Sequence, residues 1–198
     1  MRCNKEGLDV FMERLENQIK KLPDYQENWR YLLYLGRRFM WKISQWKQGE
    51  EEPENIVEDY RHYQEAAEYY AEKKKSYTYL FDAYYYGMLI ANRKEETQKA
   101  AQLLPKLEEI MEKMKENGNE RTKQGNWIEY HEQKLYYLIL ADKYSEAATV
   151  VDELIEYPYR PAEKTMSEYK YIRDNCILEE SGQEQDFDKH RLWDNIWY

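Results

Sequence analysis

Three histidines are the residues of this chain best suited to metal binding or acid–base chemistry. His62 follows Glu58 by four residues and Asp59 by three, so a helix would place both carboxylates beside the imidazole. Helical metal sites use an acidic residue three before a histidine, but they need a second such pair on another helix. His131 has Ile128 in that position, and the HEQK that begins there lacks the second histidine of a zinc-protease motif. The histidines therefore predict no metal site.

Two cysteines are the other candidates for reactive side chains. Cys3 and Cys176 lie far apart in the sequence, with no CxxC or Cys/His spacing, which predicts reduced thiols and a cytoplasmic protein. The chain contains no GxSxG, P-loop or GxGxxG motif, so we expect no cofactor and no catalysis. A helical enzyme whose site assembles from scattered Glu, His and Tyr remains the alternative, because catalytic groups meet in space.

Tyrosine is the most over-represented residue type, with 21 copies in 198 residues. Several recur at helical spacing, and their rings either fill the layers between helices or form a binding surface of rings and hydroxyls. For the second reading we expect a partner protein to contact tyrosines and neighbouring carboxylates. These candidate partner-binding residues are Tyr60, Tyr63, Tyr70, Tyr84, Tyr85, Tyr130, Tyr137, Glu58, Asp59 and Glu129.

The chain is acidic, with a formal net charge of -9. An acidic surface repels phosphate backbones and anionic lipids, which disfavours nucleic acid and membranes as partners. It would attract a basic protein, although a mild acidic excess is also ordinary for a protein surface. No apolar run is long enough to cross a membrane.

Helices must position these residues, because the chain has only seven glycines and five prolines and shows helical periodicity almost throughout. We predict an all-α fold of about eight helices in antiparallel pairs, either a repeat-like array or an irregular bundle, as one domain over residues 1–198. The predicted helices cover about 8–19, 26–48, 55–75, 78–93, 100–114, 124–141, 145–156 and 162–178.

Three features qualify this helix prediction. The helix over 78–93 is apolar nearly all round and should lie centrally. Pro105 lies inside the fifth helix, where it should cause a kink or a break. The tail over 183–198 ends in aromatic residues and should dock through Trp193 and Trp197.

One segment carries a repeat-like pattern, LYYLILADKYSEAATVVDELIEYPYRP over residues 135–161. A tyrosine and a small residue begin its second helix and two apolar residues follow: Tyr144, Ala147, Val151 and Leu154. These positions resemble a tetratricopeptide repeat, although His131 and Leu135 replace the Trp and Gly pattern of the preceding helix. Residues 84–104 carry a weaker version. The resemblance implies stacked helical pairs and a groove that binds peptides, as in an adaptor or regulator.

A second resemblance involves residues 29–70, in which a helix is followed by an acidic loop and a tyrosine-bearing helix. This order, the acidity and the tryptophans of HRLWDNIWY at 190–198 resemble all-helical immunity proteins that neutralise bacterial polymorphic toxins. The resemblance implies a non-catalytic protein-binding module that covers the basic active site of a toxin. The leading hypothesis is therefore a protein that binds another, basic protein.

Overall fold

The computed structural model of the chain describes residues 5–47, 49–115, 120–158, 163–183 and 187–191. Within these ranges the chain forms eight α-helices and no β-strand, which confirms the all-α prediction. The helices are α1 Lys5–Ile19, α2 Trp29–Gln45, α3 Ile56–Lys74, α4 Thr78–Arg93, α5 Thr97–Lys115, α6 Glu120–Leu140, α7 Tyr144–Glu156 and α8 Glu163–Glu180. A 3-10 turn, Tyr25–Glu27, precedes α2.

The chain divides into two compact units. The N-terminal unit comprises Met1–Trp46 and Glu50–Ala83, and the C-terminal unit comprises Lys47–Gly49 and Tyr84–Tyr198. The boundary falls within α4, whose residues are mostly buried, as its apolar sequence predicts. The single domain expected over residues 1–198 stays a prediction.

In the N-terminal unit, α2 packs against both α1 and α3. The Asn28 side chain caps α2 by accepting a hydrogen bond of 3.0 Å from the backbone N–H of Arg30. Four apolar residues then recur every three or four positions and are fully or almost fully buried: Leu32, Leu35, Phe39 and Ile43. This spacing gives α2 one inward face.

The inward face of α3 meets α2 closely at a glycine. Buried Tyr63 lies against Gly36, and a Cβ atom at Gly36 would come within 3.3 Å of the Tyr63 ring and hydroxyl. Phe39 and Tyr60 pack beside them, with ring centroids 6.3 Å apart. The absence of a side chain at position 36 therefore determines how deeply the Tyr63 ring enters the core.

In the C-terminal unit, α5, α6, α7 and α8 pack against one another in sequence order. Ala147, Val151 and Leu154 of α7 are buried, and Tyr144 is half-buried. We expected a kink or a break at Pro105; α5 runs through this residue without interruption, so there is no break, and the kink stays a prediction. Pro105 faces solvent, and packing of the buried positions Leu107 and Ile110 offsets the hydrogen bond that proline cannot donate.

The short segment 187–191 contacts several elements of the C-terminal unit. Phe187 is buried, and the Lys189 ammonium lies 2.5 Å from Asp142 in the α6–α7 loop. His190 Nδ1 lies 3.0 Å from the hydroxyl of Tyr136, and Arg191 forms an ion pair with Glu168 of α8. Trp193 and Trp197, expected to dock the tail, lie outside the described residues.

The close approach at Gly36 predicts the outcome of an overpacking substitution. Gly36→Leu should lower the free energy of unfolding by about 1–3 kcal/mol, because the added side chain displaces the Tyr63 ring. Gly125→Leu in α6 is the matched control, since a Cβ there meets no atom within 4 Å. Urea unfolding followed by circular dichroism measures both. Equal stability of the two variants would contradict the proposed packing.

Candidate functional site

The α2–α3 loop and α3 form an acidic surface on the N-terminal unit. Residues 50–72 contain nine acidic residues and one basic residue, whereas residues 1–46 contain nine basic and six acidic residues. Negative charge is thus segregated to one part of this unit. The exposed carboxylates, which we call the acidic face, are Glu50, Glu51, Glu52, Glu54, Glu58, Glu65, Glu68 and Glu72.

Helical geometry aligns the carboxylates of α3. Glu58, Glu65 and Glu72 recur every seven residues, so they lie along one side of the helix over about 21 Å. Exposed Val57 and Tyr69 add apolar surface to the same helix. The arrangement is a rigid acidic strip with apolar side chains on it, which suits contact with a basic protein surface.

Exposed apolar side chains are also concentrated in the N-terminal unit. Among the described residues nine large apolar side chains are exposed, and eight of them belong to this unit. Trp29 and Trp41 are two of these, although the sequence places them among the apolar residues of their helix. Trp41 is only two positions from Phe39, which puts it on the opposite side of α2. Its position relative to Phe39 therefore indicates from the sequence that Trp41 is exposed.

A groove of about 770 Å³ lies between α1, α2 and the α2–α3 loop. We call it the α1–α2 groove. Six of its lining residues are Met12 and Glu13 of α1, Arg37 and Trp41 of α2, and Pro53 and Glu54 of the loop. Sequence periodicity did not reveal it, because the groove depends on the separation between helices.

A charged network fixes the floor of this groove. The Tyr34 hydroxyl donates a hydrogen bond of 2.9 Å to Glu16, and Arg38 Nη1 lies 3.3 Å from the same carboxylate. Arg38 Nη2 lies 3.6 Å from Asp59, which also pairs with Lys42. The network joins α1, α2 and α3.

The ionisation of Glu16 reflects these neighbours. Burial opposes its negative charge, but hydrogen bonds from Lys20 and Tyr34, with the charges of Lys20 and Arg38, outweigh that cost and lower the pKa of Glu16. Burial and the adjacent Glu16 raise the pKa of Tyr34 to about 12, so its hydroxyl stays protonated and donates a hydrogen bond to the carboxylate.

The predicted partner-binding residues fall into two groups. Tyr60, Tyr63, Tyr85 and Tyr130 are buried, so the structure uses these rings as core and not as open surface. Helical spacing showed that tyrosines recur along one side of a helix, but the packing of the helices decides which of these sides faces inward. The remaining six are exposed or half-buried: Tyr70, Tyr84, Tyr137, Glu58, Asp59 and Glu129. Of the predicted set, Glu58 belongs to the acidic face, and Asp59 lies beneath it in the charged network.

His62 lies on the surface of α3, beside a hollow of about 440 Å³ lined by Glu58, Asp59 and Glu65 among others. Its Nε2 atom lies 2.8 Å from the hydroxyl of Tyr31 on α2. No group of three or more His, Cys, Asp and Glu side chains among the described residues is arranged to bind a metal ion.

The C-terminal unit has an aromatic stack on α6. Trp127 stacks on His131 and on Tyr157, with ring centroids 3.6 and 3.9 Å apart. Burial lowers the pKa of His131, and its Nδ1 atom lies 2.7 Å from the backbone oxygen of Trp127. The imidazole is therefore part of a packed layer.

Glu132 is one titratable group relevant to the enzyme alternative. It is half-buried in the C-terminal unit and accepts a hydrogen bond of 2.5 Å from the Tyr169 hydroxyl of α8. Burial raises the pKa of Glu132 to about 7, so part of the population is protonated at neutral pH. Burial likewise raises the pKa of Tyr169, and the contact joins α6 to α8.

Cys176 is buried too, which raises its pKa to about 12 and keeps the thiol protonated.

Comparison of the chain with known protein families, curated proteins and solved structures gives no match. The resemblances to tetratricopeptide repeats and to immunity proteins therefore stay predictions. Across the described part of the chain, no helix is both long enough and apolar enough to span a bilayer.

The lowered pKa of Glu16 predicts an acid-dependent contribution to stability. The ionised form of Glu16 stabilises the fold above pH 4.5, the ordinary pKa of glutamate. This stabilisation is lost as the pH falls through the lower pKa that Glu16 has in the folded state. Glu16→Gln should therefore lower the free energy of unfolding by about 1 kcal/mol at neutral pH. The loss should be smaller at about pH 3. Urea titrations at several pH values measure it, with exposed Glu13→Gln as control. A deficit independent of pH would refute this assignment.

The raised pKa of Glu132 predicts the opposite dependence of stability on pH. Because its folded-state pKa is raised from 4.5 to about 7, its ionisation destabilises the fold as pH rises through this interval. Glu132→Gln should stabilise the chain by on the order of 2 kcal/mol at about pH 8 and change little at about pH 5. Thermal unfolding at both pH values measures the difference, with exposed Glu156→Gln as control. A variant that loses stability at both would argue instead for an essential carboxyl group.

Proposed function

We propose that the chain is a non-catalytic protein-binding module whose acidic face binds a basic surface of another protein. The single observation that supports this most is the run of exposed carboxylates from Glu50 to Glu72, set against one basic residue, Arg61. Such a surface attracts cationic proteins and repels nucleic acids. Val57 and Tyr69 supply apolar contact area within it.

The rigidity of this surface favours specific binding. The carboxylates of α3 lie on a helix whose opposite side is fixed in the core by Ile56, Tyr60 and Tyr63. A preformed charged surface raises the association rate and needs little ordering when it binds. These properties suit an inhibitor that must reach its target quickly.

An immunity protein that covers the basic active site of a bacterial toxin is the specific form of this proposal. Occlusion requires a complementary charged surface and no chemistry from the inhibitor, and the acidic face meets this requirement. A peptide-binding adaptor is the alternative within the same class. The two differ in the partner: a folded basic domain for the first, an extended peptide for the second.

Charge reversal tests the acidic face. The triple variant Glu58→Lys, Glu65→Lys and Glu68→Lys should capture at least about tenfold less of the natural partner than the wild type, because attraction becomes repulsion. The tagged chain is used as bait in a lysate of the source organism at about 0.05 M and about 0.5 M salt. The partner is identified by mass spectrometry.

The matched control reverses three exposed glutamates of the C-terminal unit, Glu112→Lys, Glu146→Lys and Glu156→Lys, and so changes the net charge equally. This control should retain the partner. Equal losses in both triple variants would show that only net charge matters, and a capture insensitive to reversal and to salt would exclude the acidic face. If the partner is a toxin, co-expression of the wild-type chain should restore growth of cells that produce it.

A further inference from the structure

The α1–α2 groove carries two side chains that favour an aromatic ligand group. Arg37 and Trp41 are four residues apart on α2, so they are neighbours on one side of the helix, and both are exposed and line the groove. An indole offers an apolar face, and a guanidinium stacks on aromatic rings. Met12 on the opposite wall adds a flexible, polarisable contact of the kind that aromatic rings favour.

The groove is preformed by charges that are already paired. Arg38 contacts Glu16 and Asp59, and Lys42 contacts Asp59 and donates a hydrogen bond of 3.0 Å to the backbone oxygen of Glu54. The last contact ties the loop wall to α2. An entering side chain would therefore find a space whose walls are fixed, which reduces the entropic cost of binding. Its volume, about 770 Å³, is typical of ligand-binding pockets.

The groove carries an exposed carboxylate on two of its walls, in addition to exposed Arg37 on α2. Exposed Glu13 lies on the α1 wall, and exposed Glu54 lies on the loop wall, two residues after Glu52 of the acidic face. A polypeptide that enters the groove would pass these carboxylates, so lysine or arginine beside its anchor would be complementary. The groove and the acidic face are thus continuous through the loop.

We propose that the α1–α2 groove receives an aromatic side chain of the basic partner, flanked by lysine or arginine residues that pair with Glu13 and Glu54. This inference rests on the proposed function and adds a specificity site to it. The acidic face attracts the partner, and the groove selects a partner segment in which an aromatic anchor lies between basic residues. Charge alone would not distinguish such a segment from other cationic chains.

Short peptides separate the two contributions. The probes are N-acetylated and C-amidated KKWKK, KKAKK and EEWEE, titrated into the ¹⁵N-labelled full chain and followed by NMR. The wild type should bind KKWKK at least about tenfold more tightly than KKAKK, and EEWEE more weakly than KKWKK. KKWKK should shift the indole N–H signal of Trp41, which is assigned from its absence in Trp41→Ala.

Two tryptophan variants provide the decisive comparison. Trp41→Ala should abolish the preference for KKWKK over KKAKK, whereas Trp29→Ala should keep it. Trp29 is also exposed and lies on the same helix, but it does not line the groove. Equal affinity of the wild type for KKWKK and KKAKK, or no shift of the Trp41 signal at about 5 mM peptide, would overturn the groove proposal.

Failure of the groove and failure of the acidic face give different results. If KKAKK shifts signals of α3 and the triple lysine variant abolishes those shifts, the acidic face stands even when the tryptophan preference is absent. If neither lysine peptide shifts any signal of α3 while EEWEE reaches Trp41, the acidic face fails and the groove takes an anchor without charge selection. Loss of the preference in Trp29→Ala alone would place the anchor site elsewhere on α2.

Discussion

The pairing of Arg38 with two carboxylates is the interaction on which the N-terminal unit depends. Glu16 comes from α1 and Asp59 from α3, so one guanidinium on α2 joins three helices. Partly buried charges of this kind are costly unless they are paired, and the network supplies the pairing through Tyr34, Lys20 and Lys42. The separation of α1 from α2 creates the groove, and the placement of α3 turns its carboxylates outward.

A second constraint acts in both units: each buried tyrosine hydroxyl needs a hydrogen-bond partner. Tyr34 meets Glu16 in the N-terminal unit, and Tyr130 and Tyr169 meet Glu108 and Glu132 in the C-terminal unit. The rings fill the layers between helices, and carboxylates at the edges accept hydrogen bonds from their hydroxyls. Acidic residues therefore serve two purposes in this chain: some complete the core, and those of residues 50–72 cover one surface.

The sequence was sufficient for the helices, because apolar residues at intervals of three and four mark an inward face and few breakers interrupt it. It left two outcomes open at Pro105, a kink or a break, and packing of the flanking residues excludes the break. The recurrence of tyrosines at helical spacing was visible, but periodicity does not tell which rings are buried, as Tyr63 is, and which are half-buried, as Tyr70 is. Trp41 was identifiable from its position two residues after Phe39, whereas the groove and the raised pKa of Glu132 arise only from contacts between helices distant in sequence.

Hydrogen–deuterium exchange of the chain, alone and with its purified partner, tests the central claim most directly. Binding through the acidic face and the groove should slow exchange in residues 50–72 and in the facing parts of α1 and α2, and the protection should weaken as salt rises. Protection confined to α5–α8, with residues 50–72 unchanged, would contradict the account.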